Sequence, residues 1–381
     1  MIVEDLKIRK VMASNSKPTI EVEITTKKGK FYSSVPFGTS TSKYEVVYRD
    51  VDEVISIFHQ IKKYFIGSFK NQEEVDLLLH SIDTSPDFRN IGGNLSLAIS
   101  LAFLKAFAYE EGVEIYYYLT SKPTIPKPVC NVAGGWKGQS DIQEFLLMPI
   151  HQEYFRESIQ EIANVYLVLG NILQKKDVNF KFGKNIESAW ITTLRAEELL
   201  NILTEIKTSN LVIGLDVAAS NLWNGKFYEY KDKSLSTFQQ IEYMSALIRE
   251  YKLFYVEDPF HQDDFVSFSV LTKNTRALIV GDDLYATNLE RLKMGLDIKA
   301  SNAVVVKPNQ IGTVTDTVNF VREARKNNLK IIVSHRSGET DDNILSYLAV
   351  GLNADYFKLG ISGERIVKIN EMIRIEEKIL K

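Results

Sequence analysis

Cysteine is almost absent from this chain. Cys130 stands alone among 381 residues, so no disulfide can form within the chain and a reducing compartment is the expected home. No apolar run reaches the length of a membrane span, and charge enters Met1–Val11 too early for a signal peptide. No membrane partner is therefore expected, and the cytoplasm is the expected location. Charge of one sign is not in excess either. A formal net charge of −3 with no dense Lys/Arg stripe gives no electrostatic case for nucleic acid. The glycine fingerprint of a dinucleotide fold is missing after every early strand. What is present, 45% hydrophobic and 25% charged residues, suits a globular protein long enough for two domains and a sizeable core.

The first third reads as strands, then helices. Ile2–Val11 and Thr19–Thr25 alternate like half-buried strands, and Lys27-Lys28-Gly29 turns the chain into Lys30–Val35. Asp50 is placed to cap a helix over Val51–Phe65, and a second helix is expected over Glu73–Ile82. Asn94–Glu111 is apolar nearly all round and stops at Gly112, the pattern of a buried helix. Such an order makes an α+β layer. Ser121–Pro128, with Pro123, Pro126 and Pro128, marks the expected boundary between a domain over 1–122 and another over 123–381.

From Val129 the rhythm becomes strand, loop, helix. Candidate strands are Leu211–Leu215, Leu253–Val256, Ala277–Val280, Asn302–Val306, Lys330–Val333 and Asp355–Phe357, with amphipathic stretches between them. Strand ends fall roughly 25 to 40 residues apart, the spacing of units in a (β/α) barrel. An open doubly wound sheet shares that rhythm, and the missing fingerprint favours the barrel.

Charge gathers where these strands end. Leu215 is followed by Asp216, Val256 by Glu257 and Asp258, and Gly281 by Asp282 and Asp283. Lys307 follows Ala303–Val306 within Asn302–Thr313, and Ser334-His335-Arg336-Ser337 and Lys358 close the last two strands. In a barrel these ends meet at one mouth. Two bare carboxylates about 4 Å apart repel by roughly 4 kcal/mol at an effective dielectric near 20, so three converging ones call for a cation. Oxygen ligands without a Cys/His cluster point to Mg²⁺. Lys307 can serve as a base if its pKa falls by ~3 units, roughly 4 kcal/mol, which burial and an adjacent dication can supply. It would then remove a proton α to a carboxylate. Arg336 and Ser337 suit a phosphate or carboxylate, so the expected partner is a small phosphorylated or carboxylated acid.

These residues resemble the enolase family, the phosphopyruvate hydratases of glycolysis. The motifs that carry the resemblance are VEDPF at Val256–Phe260, GDDL at Gly281–Leu284, KPNQIGT at Lys307–Thr313, SHRSGET at Ser334–Thr340 and IRIEE at Ile373–Glu377. PTIEVEI at Pro18–Ile24, GGN at Gly92–Asn94 and QEF at Gln143–Phe145 extend it over nearly the whole chain. The resemblance implies an α/β architecture, an enolase-like (β/α) barrel with an N-terminal α+β capping domain, in a homodimer. A lysine base beside Mg²⁺ is the arrangement already known for the enolase superfamily. Carried over, the family's metal ligands fall on Asp216, Glu257 and Asp282, and its base on Lys307. Phosphate contacts fall on Arg336 and Ser337, and substrate contacts on His335 and Lys358. Ser40 matches the serine of a closing loop that reaches a second Mg²⁺. Glu144 matches a glutamate near the leaving hydroxyl.

The departures cluster on loops over the site. The family's Gly-Asp-Glu-Gly-Gly stretch, which holds the usual general acid, is replaced by Gly183-Lys184-Asn185-Ile186-Glu187. Glu187 can be that acid only if the loop is rearranged. The Asn-Gly-Gly-x-His segment has become Ala133-Gly134-Gly135-Trp136-Lys137, without its histidine. Phe37 and Ser42 replace small residues beside Ser40, and Ala13-Ser14-Asn15-Ser16-Lys17 replaces Asp-Ser-Arg-Gly-Asn. A missing general acid costs about 10²- to 10⁴-fold. Three readings therefore stay open: a lyase dehydrating 2-phosphoglycerate to phosphoenolpyruvate, a paralogue acting on another acid, and a non-catalytic Mg²⁺-binding assembly protein.

Overall fold

The computed structural model describes residues 1–39, 42–135, 140–151 and 153–381. The N-terminal strands β1 (Ile2–Met12), β2 (Pro18–Thr26) and β3 (Gly29–Ser34) form an antiparallel meander, with β4 (Gly67–Ser68) on its far edge. The pairing Leu6↔Ile24 and Ile8↔Val22 keeps apolar residues on one face, as the alternation requires. Helix α1 (Val51–Ile61) starts where the Asp50 carboxylate accepts from the Asp52 N–H at 2.9 Å. Its last turn, Lys62–Phe65, tightens into a 3-10 helix, so the expected helix over Val51–Phe65 is of two kinds. Helix α2 covers Gln72–Ile82.

Helix α3 (Gly93–Glu111) is buried almost all round because the meander covers one side and the barrel the other. Its serines do not stay unpaired there: Ser96 Oγ donates to the Gly312 carbonyl (2.9 Å) and Ser100 Oγ to Asp76 (2.6 Å). The helix ends at Gly112, whose φ of 70° suits glycine.

Eight strands close the barrel: β5 (Lys127–Gly134), β6 (Glu144–Pro149), β7 (Leu211–Asp216), β8 (Tyr255–Glu257), β9 (Leu278–Gly281), β10 (Ala303–Val306), β11 (Lys330–Ser334) and β12 (Tyr356–Gly360). They stand in sequence order around the ring, and β12 pairs with β5 to close it. The interior is filled by Val129, Leu146, Met148, Tyr255, Val280, Ala303, Val305 and Ile332. A second, larger core lies between the strands, the outer helices and the N-terminal layer.

One feature departs from a purely parallel barrel. Strand β6 runs antiparallel to both β5 and β7. Residues 135–143 are too few for the crossover helix that a parallel neighbour needs. The reversal has a consequence for the site, because the first residue of β6, Glu144, lies opposite Asp216 at the end of β7.

The N-terminal layer is tied to the barrel by buried polar contacts. Asp342 accepts from Ser33 Oγ (2.7 Å) and the Ser34 N–H (3.1 Å), and pairs with Lys105 (2.8 Å). Phe37 and Gly338 exchange backbone hydrogen bonds of 3.0 Å, which seats the 36–39 segment over the barrel mouth. No helix among the described residues is long and apolar enough to cross a membrane.

Candidate active site

The strand ends converge as expected on a cavity of about 450 Å³ at the barrel mouth, lined by Glu144, Glu187, Asp216, Asp282, Lys307, His335, Arg336, Ser337 and Lys358 among others. Glu257 is fully buried just beneath it. Ser40, Trp136 and Lys137, all singled out from the sequence, lie outside the described residues.

Lys307 follows β10 and precedes the one-turn helix Pro308–Ile311, with Pro308 where its missing N–H goes unnoticed. The Lys307 N–H donates to Thr287 Oγ1 (3.0 Å), and its ammonium pairs with Asp282. Burial, Arg336 and Lys358 work against the Lys307 charge. Asp282, helped by Glu257, outweighs them and holds its pKa above the ordinary lysine value. Asp282 is itself placed by Asp258, whose carboxylate accepts the Asp282 N–H (3.0 Å) and the Asp283 N–H (2.7 Å).

Asp216 and Glu257 are adjacent in register, at the ends of β7 and β8. Both hold the Lys358 ammonium, at 2.8 and 2.7 Å, with Glu144 at 3.1 Å. The second Glu257 oxygen accepts from the Tyr255 hydroxyl at 2.5 Å, inside the barrel. The three expected metal ligands thus border one pocket without meeting at a single point. Two sit on Lys358 and the third on Lys307, because these ammoniums supply the countercharge. The described carboxylates whose oxygens all lie within 4.8 Å of one another are Asp258, Asp282 and Asp283, and of these only Asp282 was expected.

Several observations fit a hard dication here. The donor set is oxygen alone. Asp282 Oδ1 is buried and has no hydrogen-bond partner among the described residues. Burial and mutual repulsion push Glu257 and Asp258 well above the carboxylate range and lift Asp283 to about 7. Carboxyls that crowd until they resist ionising are what a bound cation relieves.

Across the mouth stands the pair Glu144 and Glu187. The segment 183–187 folds so that Glu187 enters the cavity, where Asn131 on β5 donates to it at 3.2 Å. Its carboxyl is hydrogen-bonded to that of Glu144. Burial and the Glu187 charge push Glu144 well up. Glu187 is held below the usual range in spite of burial, by the Glu144 hydrogen bond and by the nearby His335, Arg365 and Lys358. Two carboxyls this close titrate as a pair.

The anion side is equally built. Arg336 is buried and pairs with Glu45 (3.1 and 3.3 Å), which also accepts from Gln310 (3.2 Å). Ser337 Oγ accepts the Thr39 N–H at 2.8 Å. Burial, with the Arg365 charge beside it, pushes the His335 pKa down to about 3 and so favours the neutral ring. Ser14, in the altered N-terminal segment, accepts from the Glu339 N–H (3.1 Å) and so braces the same loop.

Around the ring, Glu144 opens β6 and Lys307 follows β10, four strands apart of eight. Base-type and acid-type groups therefore face each other, with Asp216, Glu257 and Asp282 on one arc between them and Arg336 and Lys358 on the other.

Comparison with known proteins agrees with this architecture. The family model described as the enolase C-terminal TIM barrel domain matches residues 122–381, and that of the enolase N-terminal domain matches residues 3–119. An enolase of Archaeoglobus fulgidus is 38% identical over 99% of this chain and 98% of its own length. One of Methanosphaera stadtmanae is 39% identical over 100% and 98%, and one of Picrophilus torridus 37% over 99% of each. With both domain models matched and relatives alike from end to end, the chain belongs to the enolase family.

Proposed function

We propose that this chain is a lyase that dehydrates 2-phosphoglycerate to phosphoenolpyruvate, with Mg²⁺ as its cofactor. The observation that carries the proposal is Glu187, paired with Glu144 across one cavity from Lys307. Elimination takes a proton from one carbon and hydroxide from its neighbour on the opposite face, so a base and an acid set across the pocket match the reaction. The paralogue reading and the assembly reading both drew on a missing acid, and no observation now favours either. A homodimer and a cytoplasmic location belong to the same proposal, on family membership alone.

In this reading Arg336, oriented by Glu45, and Ser337 take the phosphate. Asp216, Glu257 and Asp282 would hold Mg²⁺ once drawn off the ammoniums of Lys358 and Lys307, and a second site would draw on Ser40. When bound, Mg²⁺ supplies the positive charge that these carboxylates and the substrate carboxylate need as negative charge builds on the latter. Lys307 then takes the α-proton: with Asp282 engaged elsewhere, burial, Arg336 and Lys358 all favour its neutral form. A proton from the Glu144 and Glu187 pair leaves with the hydroxide. Lys358 and His335 close the substrate contacts.

Phosphoenolpyruvate absorbance should rise when the protein meets 2-phosphoglycerate and Mg²⁺, and should stop rising on chelation by EDTA. No rise under any Mg²⁺ concentration sinks the proposal. Tyr255→Phe offers a second check, since the Tyr255 hydroxyl fixes the second oxygen of Glu257. Its Mg²⁺ affinity should fall about 10- to 100-fold, read by calorimetry without substrate, and an unchanged affinity would remove Glu257 from the metal site.

A further inference from the structure

Arg365 lies outside every motif above, yet its side chain is completely buried. A guanidinium has five N–H donors in a fixed fork, and here the fork makes four hydrogen bonds. Nε donates to His335 Nδ1 at 3.0 Å. Nη1 donates to the Ile186 carbonyl at 3.0 Å and pairs with the neighbouring Glu364. Nη2 donates to the carbonyls of Arg336 (2.9 Å) and Ser337 (3.1 Å). Apart from Glu364, these acceptors come from two loops: one ends in Glu187, and the other carries His335, Arg336 and Ser337.

We infer that Arg365 is a positioning residue that locks the tautomer of His335 and docks the Glu187 loop against the anion-binding loop. An Nδ1 that accepts leaves the single proton of the neutral ring on Nε2. The imidazole then meets the pocket as a donor, the form an anionic substrate needs. Through Ile186, the same guanidinium fixes the backbone one residue before Glu187. Lysine cannot replace it, because a point-like ammonium does not reach acceptors spread around a planar fork. Such docking explains how Glu187 reaches the cavity although the surrounding motif departs from the family. The effect on turnover rests on the proposed dehydration, whereas the tautomer and the docking do not.

The test is ¹⁵N NMR of the full-length protein with labelled histidine, the signal of His335 being assigned among the five histidines by its loss in His335→Gln. The expected wild-type spectrum shows a non-protonated Nδ1 and a protonated Nε2, and a protonated Nδ1 overturns the inference. In Arg365→Lys the two tautomers should mix and kcat for 2-phosphoglycerate should fall about 10²-fold. Wild-type tautomer and kcat in that variant also overturn it. If Arg365→Lys does not fold, the wild-type spectrum still decides. A wild type with the expected tautomer but no dehydration defeats the proposed reaction and leaves the placement of Arg365 standing.

Discussion

Lys307→Ala should lose phosphoenolpyruvate formation by about 10²- to 10⁴-fold or more, the contribution of a positioned proton-transfer group. The loss should appear in kcat, because Arg336, Ser337 and the carboxylates that bind the substrate and Mg²⁺ are untouched. A structural cost accompanies it. Asp282 loses the ammonium it pairs with, and an unpaired buried charge costs on the order of 3 kcal/mol. Excess Mg²⁺ should restore much of that stability, since Asp282 is one of its ligands in this account. Thermal melts with and without Mg²⁺ separate the two effects. A variant that melts like wild type in Mg²⁺ and still turns over normally shows that Lys307 is not the base.

Glu187→Gln should separate the two halves of the reaction. An amide carries no acidic proton to deliver, so if the acid role falls to Glu187, expulsion of hydroxide should slow about 10²- to 10⁴-fold. Removal of the α-proton, on the far side of the ring, should continue. In deuterated water the variant should therefore exchange the α-hydrogen of 2-phosphoglycerate while making little phosphoenolpyruvate. Parallel loss of exchange and dehydration would mean that the loop has collapsed rather than lost an acid. No loss of either would make Glu187 a bystander.

Much of the barrel was legible because each strand end carries its charge one or two residues past a short β-branched or apolar run, as at Val256-Glu257 and Val306-Lys307. Capping was equally readable at Asp50 and Gly112. Strands β5 and β6 were not proposed from pattern, and the reason is physical. Glu144–Pro149 is buried on both faces, so no alternation marks it. Lys127–Gly134 opens beside Pro128 and has the polar Asn131 in its middle. The antiparallel turn of β6 follows from these two strands, and with it the position of Glu144.

The site was legible as a set of residues and less so as an arrangement. Glu187 reaches the cavity through Asn131, 56 positions away, and through the bond of Arg365 to Ile186, which spans 179 positions, and no local spacing encodes either. Lys358, expected to meet substrate, lines the cavity, and the sequence did not show that it also holds Asp216, Glu257 and Glu144 together. Asp258, which the sequence shows only as a charge at a strand end, braces the turn at Asp282 with both its oxygens. A polar residue inside an apolar strand, as at Asn131 or Tyr255, was the one available signal for the supporting shell.

The most direct test is α-hydrogen exchange on 2-phosphoglycerate in deuterated water with Mg²⁺, comparing wild type with Lys307→Ala. The account predicts that deuterium enters at the α-carbon with wild type and does not with the folded variant. Exchange at the same rate in both would contradict it.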